Sequence, residues 1–406
     1  GLIWPVSSPP IRDGALLVDD QGRVAAVGAA SQLPSPDRAR SLSFPAHALL
    51  PGFVNAHTHL ELHGLRDMVP EEDFFGWLQH VRELKASSAA ETFRASAQAG
   101  VQEGWRFGTT TFVDTGTSGA TVPALSLLGA RGTYYHEVIA PEPSRVDGAL
   151  AEARATLGGL AAHASRAVRL GLSPHAPYTV SPALMTATAE LARDAGMRLA
   201  AHMAESPAEA AFLVRGAGPF ADLWRRREIP LPAPAASPVC YFHDRGLLGP
   251  DLLAIHVVQA NDDDVALLAQ HGVGIAACPR SNRRHGHGDA PLAQMLRAGL
   301  KVGLGTDSAA SVDSLDLVAE ARLARRLAAC SAEHALRLLT IEGAVAVGWG
   351  NEVGSLDPGK WADVCVVQLS DLRADPEHLS AAVLDAGSGA IVATIIGGRT
   401  VWSREA

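Results

Sequence analysis

Eight short apolar, β-prone runs alternate with stretches of helical periodicity through the middle of the chain. The runs are Ala48–Asn55, Thr109–Asp114, Thr133–Ile139, Val168–Ser173, Arg198–His202, Leu252–Val257, Val273–Cys278 and Lys301–Thr306. Helical patterns between and after them include Glu91–Arg106, Pro182–Ala195, Asp262–His271 and Leu315–Ala329. Near-continuous apolar strands separated by helices are what a parallel sheet buried on both faces requires. Eight such units over about 290 residues fit a closed (β/α)8 TIM barrel better than an open sheet. Outside them, residues 14–28 form a hairpin pattern around Asp20-Gln21-Gly22, and residues 353–368 and 390–403 read as short strands with Gly/Pro turns. Both chain termini are therefore expected to build one small β-sandwich, from residues 1–50 and 351–406, with the barrel spanning 51–350. Residues Glu228–Pro238 are rich in Pro and Ala and read as a loop inserted before the sixth strand.

The bulk properties remove several classes of function. A net charge of −9 disfavours a nucleic-acid polymer or an anionic membrane surface as partner. No run of 18 or more uncharged apolar residues suits a transmembrane helix. Residues Gly1–Pro5 show no basic segment followed by an apolar one, so no secretory signal is read there. Cys240, Cys278, Cys330 and Cys365 are far apart, which fits reduced thiols and a cytoplasmic location.

Chemistry gathers at the carboxyl ends of the apolar runs. The first leads into His57 and His59, whose i, i+2 spacing turns both imidazoles to one side of a strand. A His-x-His pair alone is also common as hydrogen-bonded core histidines. Later runs, however, end in His175, in His202 with Glu205 close behind, in His256 and in Asp307. A TIM barrel places all these strand ends on one face. Three imidazoles and a carboxylate, His57, His59, His202 and Asp307, suit one divalent zinc or iron ion with a position left for water. His63, His285 and His287 have no strand leading into them and read as loop residues.

The segments PGFVNAHTHLE, SPHAPYTVS, HMAES, CPRSN, GLGTDSAAS and GSLDPGKWADV, in this order, resemble the amidohydrolase superfamily over nearly the whole chain. They are most similar to the branch of nucleobase and nucleoside deaminases and triazine chlorohydrolases. The resemblance implies a metal-dependent aminohydrolase. Glu205 would protonate a ring nitrogen, Asp307 would carry a proton from water to the leaving amine, and His256 would polarise the nucleophile. His175 would contact substrate. Two-metal members of the superfamily commonly bridge their ions with a carboxylated lysine at the end of strand four. Only Lys85, Lys301 and Lys360 are lysines here, none near that strand in sequence, so one metal is expected.

The segment EEDFFGWLQHVRELKAS resembles the Trp-Leu helix of deaminases acting on 5′-substituted adenosines. It lacks the Pro-x-Glu of the methylthioadenosine/S-adenosylhomocysteine deaminases, leaving Glu83 as the nearest carboxylate. The compact FFGWLQHV form looks more like the 6-aminodeoxyfutalosine deaminases of menaquinone biosynthesis, whose substrate carries a benzoate. Trp77, Glu83, Arg145 and Ser308 join His175 as expected substrate contacts. Arg66, Arg82, Arg283 and Arg284 lie in segments that could also reach the barrel mouth. Alternatives are a methylthioadenosine, S-adenosylhomocysteine or adenosine deaminase, a guanine deaminase or triazine chlorohydrolase, or an inactive metal-binding scaffold. The expected partner is a small nucleoside, and the resemblance implies a homodimer. The cytidine-deaminase architecture does not fit, because the chain has no P-C-x-x-C.

Overall fold

The computed structural model describes residues 1–34, 40–70 and 73–404. Its centre is a parallel eight-stranded sheet: β1 (Phe53–Thr58), β2 (Thr109–Gly116), β3 (Arg131–Val138), β4 (Val168–Pro174), β5 (Leu199–Met203), β6 (Leu252–His256), β7 (Gly274–Ala277) and β8 (Lys301–Leu304). Each strand pairs with its neighbour in chain order, so every connection is the same strand–helix–strand step. The barrel closes just beyond β8, where the Asp307 N–H donates to the His57 carbonyl at 3.0 Å. Asn55 and Thr306 exchange two further hydrogen bonds across the same seam, at 2.8 and 3.0 Å. Gly305 permits this approach, since a Cβ there would stand 2.7 Å from the His57 nitrogen.

Helices wrap the sheet as the periodicity predicts, including Ala90–Arg106, Pro182–Asp194, Asp262–Gln270 and Leu317–Ala328. Among the described residues no helix is long and apolar enough to cross a membrane. The Pro/Ala-rich segment before β6 is irregular up to a short helix, Pro238–His243. Helix α1 (Phe74–Ser87) follows β1 and is capped by Asp73, whose carboxylate accepts from the Gly76 N–H.

Both termini contribute to a six-stranded sheet ordered Arg399–Ser403, Ile391–Ile396, Val364–Gln368, His47–Pro51, Leu2–Ile3 and Ile11–Arg12. The hairpin Gly14–Val18/Val24–Ala29 covers it, with Leu16 and Val27 packed against Ile3, Val364, Val366 and Ile395. One expectation needs correcting here. The single run Ala48–Asn55 is two strands, because His47–Pro51 pairs antiparallel with Val364–Gln368 while Phe53–Thr58 enters the barrel. Gly52 makes the transition possible, since a Cβ there would fall 2.2 Å from the Thr110 hydroxyl. A further helix, Pro376–Ala386, sits between two strands of the terminal sheet, signalled only by its Asp375 cap and Pro376 at its first position. The buried pair Arg131–Asp363, at 2.6 Å, ties β3 to the terminal sheet, and Arg131 also stacks on Trp361 at 3.6 Å.

Candidate active site

The carboxyl ends of the strands open onto a cavity of about 340 Å³. At its base, ligand atoms of His57 on β1, His59 just after it and His202 on β5 lie within 4.8 Å of one another. Asp307 follows β8, its Oδ1 3.6 Å from His57 Nε2 and 3.7 Å from His59 Nε2. His57 is completely buried, yet neither ring nitrogen has a hydrogen-bond partner. Unpaired buried imidazole nitrogens facing two more imidazoles and a carboxylate fit a divalent cation.

Supporting contacts aim these donors. His202 donates from Nδ1 to the His175 carbonyl at 3.1 Å, leaving Nε2 free to face the cluster. The Ser281 hydroxyl donates to Asp307 Oδ2 at 2.5 Å. Asp114, pushed up to about 7 by burial, accepts from the Leu60 N–H at 2.6 Å and the Thr58 hydroxyl at 2.8 Å, fixing the chain on both sides of His59. Ala204, His256, Val257 and Asp307 all have positive φ, between 49° and 73°. Side chains at such positions cost about 1–3 kcal/mol each. Three backbone bonds, from Val257 to Met203 and from Val258 and Gln259 to Ala204, hold β6 to β5 in that shape.

Glu205 lies beside this cluster and is buried. It accepts a hydrogen bond from the Tyr178 hydroxyl at 3.1 Å and stands 3.4 Å from His256 Nε2 and 3.5 Å from His287 Nε2. Burial alone would raise its pKa, but the adjacent His256 and His287 hold its carboxyl well below the usual range. The Glu209 carboxyl oxygens accept from the Ala204 and Glu205 N–H groups, both at 2.8 Å, and so fix the Glu205 backbone. His256 donates from Nδ1 to the Asn282 side-chain oxygen at 3.0 Å, turning Nε2 to Glu205. Burial, and then His59, push His175 down to about 3, so this imidazole is neutral; its Nδ1 is 2.7 Å from the Thr179 hydroxyl.

The structure thus brings together His57, His59, His175, His202, Glu205, His256 and Asp307, and Trp77 lines the cavity. Three expected contacts do not reach it. Glu83 is on the exposed face of α1, because the helical turn directs Leu78, Val81, Arg82 and Lys85 to the cavity instead. Arg145 is exposed and pairs with Glu152 at 3.1 Å. Ser308 is buried and bonded to the Ser311 hydroxyl at 2.9 Å, and Ser311 is the residue that lines the cavity. Of the other arginines, only Arg82 lines it, joined by Arg227, which pairs with Glu142. His63 pairs with Glu103 at 2.5 Å.

Several residues arrive unannounced. His285 lines the cavity, and His287 reaches Glu205, although no strand leads into either. Lys85 also lines it, tied to Glu61 at 2.7 Å; Glu61 is buried, yet Lys85 lowers its carboxyl to about 2. That pairing keeps Lys85 an ammonium. Glu137, at the end of β3, lines the cavity as well. A signal for Glu209 was present, since Ser206-x-x-Glu209 has the spacing of a capping box.

A (β/α)8 barrel with His-x-His on strand one, His on strand five and Asp after strand eight defines a metal-dependent hydrolase barrel. The chain belongs to the amidohydrolase family, whose sequence profile matches residues 48–401. It is 31% identical over 418 residues to the 5-methylthioadenosine/S-adenosylhomocysteine deaminase of Symbiobacterium thermophilum, covering 99% of this chain and 92% of that protein. Among solved structures, it is similar to a zinc-bound adenosine deaminase from Xanthomonas campestris, with 26% identity, a TM-score of 0.83, and 98% and 91% of the two chains covered. The Helicobacter pylori aminofutalosine deaminase in complex with methylthio-coformycin shares its fold, at 21% identity and a TM-score of 0.85 over 99% and 98% of the chains.

Proposed function

We propose that this protein hydrolyses the amine from C6 of the adenine ring of a 5′-modified adenosine, releasing ammonia. The observation that carries this reading is a buried carboxylate, Glu205, beside a cluster of three imidazoles and Asp307 in one largely apolar cavity. The names of the curated relatives agree with it. His57, His59, His202 and Asp307 would hold one ion, and zinc is favoured because the Xanthomonas enzyme carries it. When bound, the ion supplies Lewis acidity that makes water a nucleophile near neutral pH.

The residues then divide the protons. Glu205 is ionised in the free chain, so it does not begin as the proton donor; it first takes a proton from the attacking water and then delivers it to ring nitrogen N1. Asp307, steadied by Ser281, takes the second proton and passes it to the leaving amine. Both hydrogens of water are thereby accounted for, one on the 6-oxopurine and one in ammonia. His256 Nε2 polarises the attacked carbon's new oxygen, and neutral His175 contacts the purine.

The finer reading is 6-aminodeoxyfutalosine converted to futalosine, a step of menaquinone biosynthesis. Phe74, Trp77, Tyr178, Phe220 and Trp224 give the cavity an aromatic wall, and the Arg82 and Arg227 guanidinium groups can meet a carboxylate. Glu83, the nearest substitute for a ribose-holding carboxylate on α1, points away. The curated relatives favour methylthioadenosine or S-adenosylhomocysteine as the second reading. Ammonia release from 6-aminodeoxyfutalosine, methylthioadenosine, S-adenosylhomocysteine and adenosine separates them. The highest kcat/KM is expected for the first, and a preference for any other overturns the finer reading alone.

A further inference from the structure

Glu137 is a buried carboxylate with no task in the chemistry above. Its side chain is 3% exposed, its Oε1 has no hydrogen-bond partner, and it lines the cavity. The nearest imidazole nitrogens, His59 Nδ1 at 3.8 Å and His175 Nε2 at 3.9 Å, are beyond hydrogen-bond reach. Lys85 is close enough to feel the Glu137 charge, but its ammonium hydrogen-bonds Glu61 and Glu137 Oε1 stays without a donor. A buried acceptor without a donor is costly, so the missing donor is to be sought in what enters the cavity.

Position narrows the donor. Glu205 follows β5 and faces His256 and His287, whereas Glu137 ends β3, with His175 of the β4 end between them. Were a nucleoside to sit with its ring nitrogen at Glu205 and its purine against His175, Glu137 beyond that imidazole would be left to face its sugar. On the reading proposed above, we infer that Glu137 accepts hydrogen bonds from the ribose hydroxyls. Among the described residues, α1 lends the cavity no carboxylate for that purpose. The substrate class is thus a ribonucleoside with free 2′ and 3′ hydroxyls. The competing occupant is a second cation, since donor atoms of Glu137, His175 and His202 also lie within 4.8 Å of one another.

The test uses 1-deazaadenosine, which has no N1 to protonate, and its 2′,3′-dideoxy form, so binding is measured without turnover. Calorimetry on the metal-loaded wild type should show the ribose form bound about 10- to 100-fold more tightly, as hydrogen bonds to a charged acceptor allow. Glu137→Gln and Glu137→Ala should reduce that ratio to about threefold or less, with the metal content of the wild type retained. The inference is overturned by a wild type indifferent to the hydroxyls, by an unchanged ratio in Glu137→Gln, or by metal lost with the substitution. Failure of the deaminase reading would look different: hydroxyl-dependent binding that needs Glu137, but no ammonia from any adenosine.

Discussion

Glu205→Gln keeps the shape of a buried side chain and removes its charge. The amide oxygen can still accept the Tyr178 hydroxyl, now bonded at 3.1 Å, so the local fold should survive. Proton transfer should not. An amide cannot take a proton from water and hand it to N1, and a positioned acid–base group contributes about 10²–10⁴-fold in rate. At 1.36 kcal/mol per decade this is about 2.7–5.4 kcal/mol of barrier. The upper half of that range is expected, because Glu205 is only 4% exposed and bulk water cannot stand in for it. KM should change much less than kcat. Metal content should stay at one ion per chain, because Glu205 flanks the cluster without belonging to it. Following adenine absorbance and ammonia together, with elemental analysis of the same samples, measures all three quantities. Ammonia release at the full rate would refute the proton route, and loss of the metal would make Glu205 a ligand instead.

Three further outcomes follow from features away from that carboxylate. Arg131→Met leaves Asp363 buried without its 2.6 Å partner, so unfolding free energy should fall by about 3–5 kcal/mol in denaturant titrations; a loss below about 1 kcal/mol contradicts the pair's role in joining sheet and barrel. Burial raises Glu209 and Glu320 to about 8, so each binds its proton more tightly folded than unfolded. Stability held below the ordinary glutamate range is therefore lost as pH rises through about 8. Buried His175 and His285, lowered to about 3 and 4, act in the opposite sense below about pH 6.5, so melts between about pH 7 and 8.5 read the raised carboxyls, the glutamates with the end of the Asp114 titration near 7. Melting temperature should fall across that window, less steeply in Glu209→Gln; a rise contradicts the assignment. Chelation should abolish activity and lower the melting temperature, since an ion held at 1,000 times its Kd stabilises by about 4 kcal/mol. Zinc added back should restore both, and an unaltered melt after complete metal removal would contradict the fit of the four donors.

The barrel was legible because a strand buried on both faces must be apolar along its length, and polar residues at the end of such a run stand out. His57, His202, His256 and Asp307 all announced themselves that way. Glu137 carried a weaker mark, since it lies inside the run Thr133–Ile139 near its end, and His136 beside it blurred which residue faces inward. His285 and His287 follow a short helix, Pro279–Arg284, and sequence spacing alone does not say which way such a turn leads. Glu83 and Arg145 failed for a related reason. Nearness along the chain to a site element says little about side-chain direction on a helix, where each residue turns by about 100°. Lys85 shows the limit of distance in sequence: it is far from strand four, yet α1 carries it to the cavity.

The seam that closes the barrel also sets when the site can exist during synthesis. Asn55 and Thr306, which stitch it, are 251 residues apart, and Asp307 must lie against His57 before four donors converge. At about 5–20 residues per second, a ribosome needs roughly 12–50 s to make the intervening chain. For that interval the donor set is incomplete: His57 and His59 come first, His202 follows, and Asp307 is still to be made. If the four donors hold one ion, as proposed, its full coordination would wait for the chain after strand eight, and the ion would join the first strand of the barrel to the last.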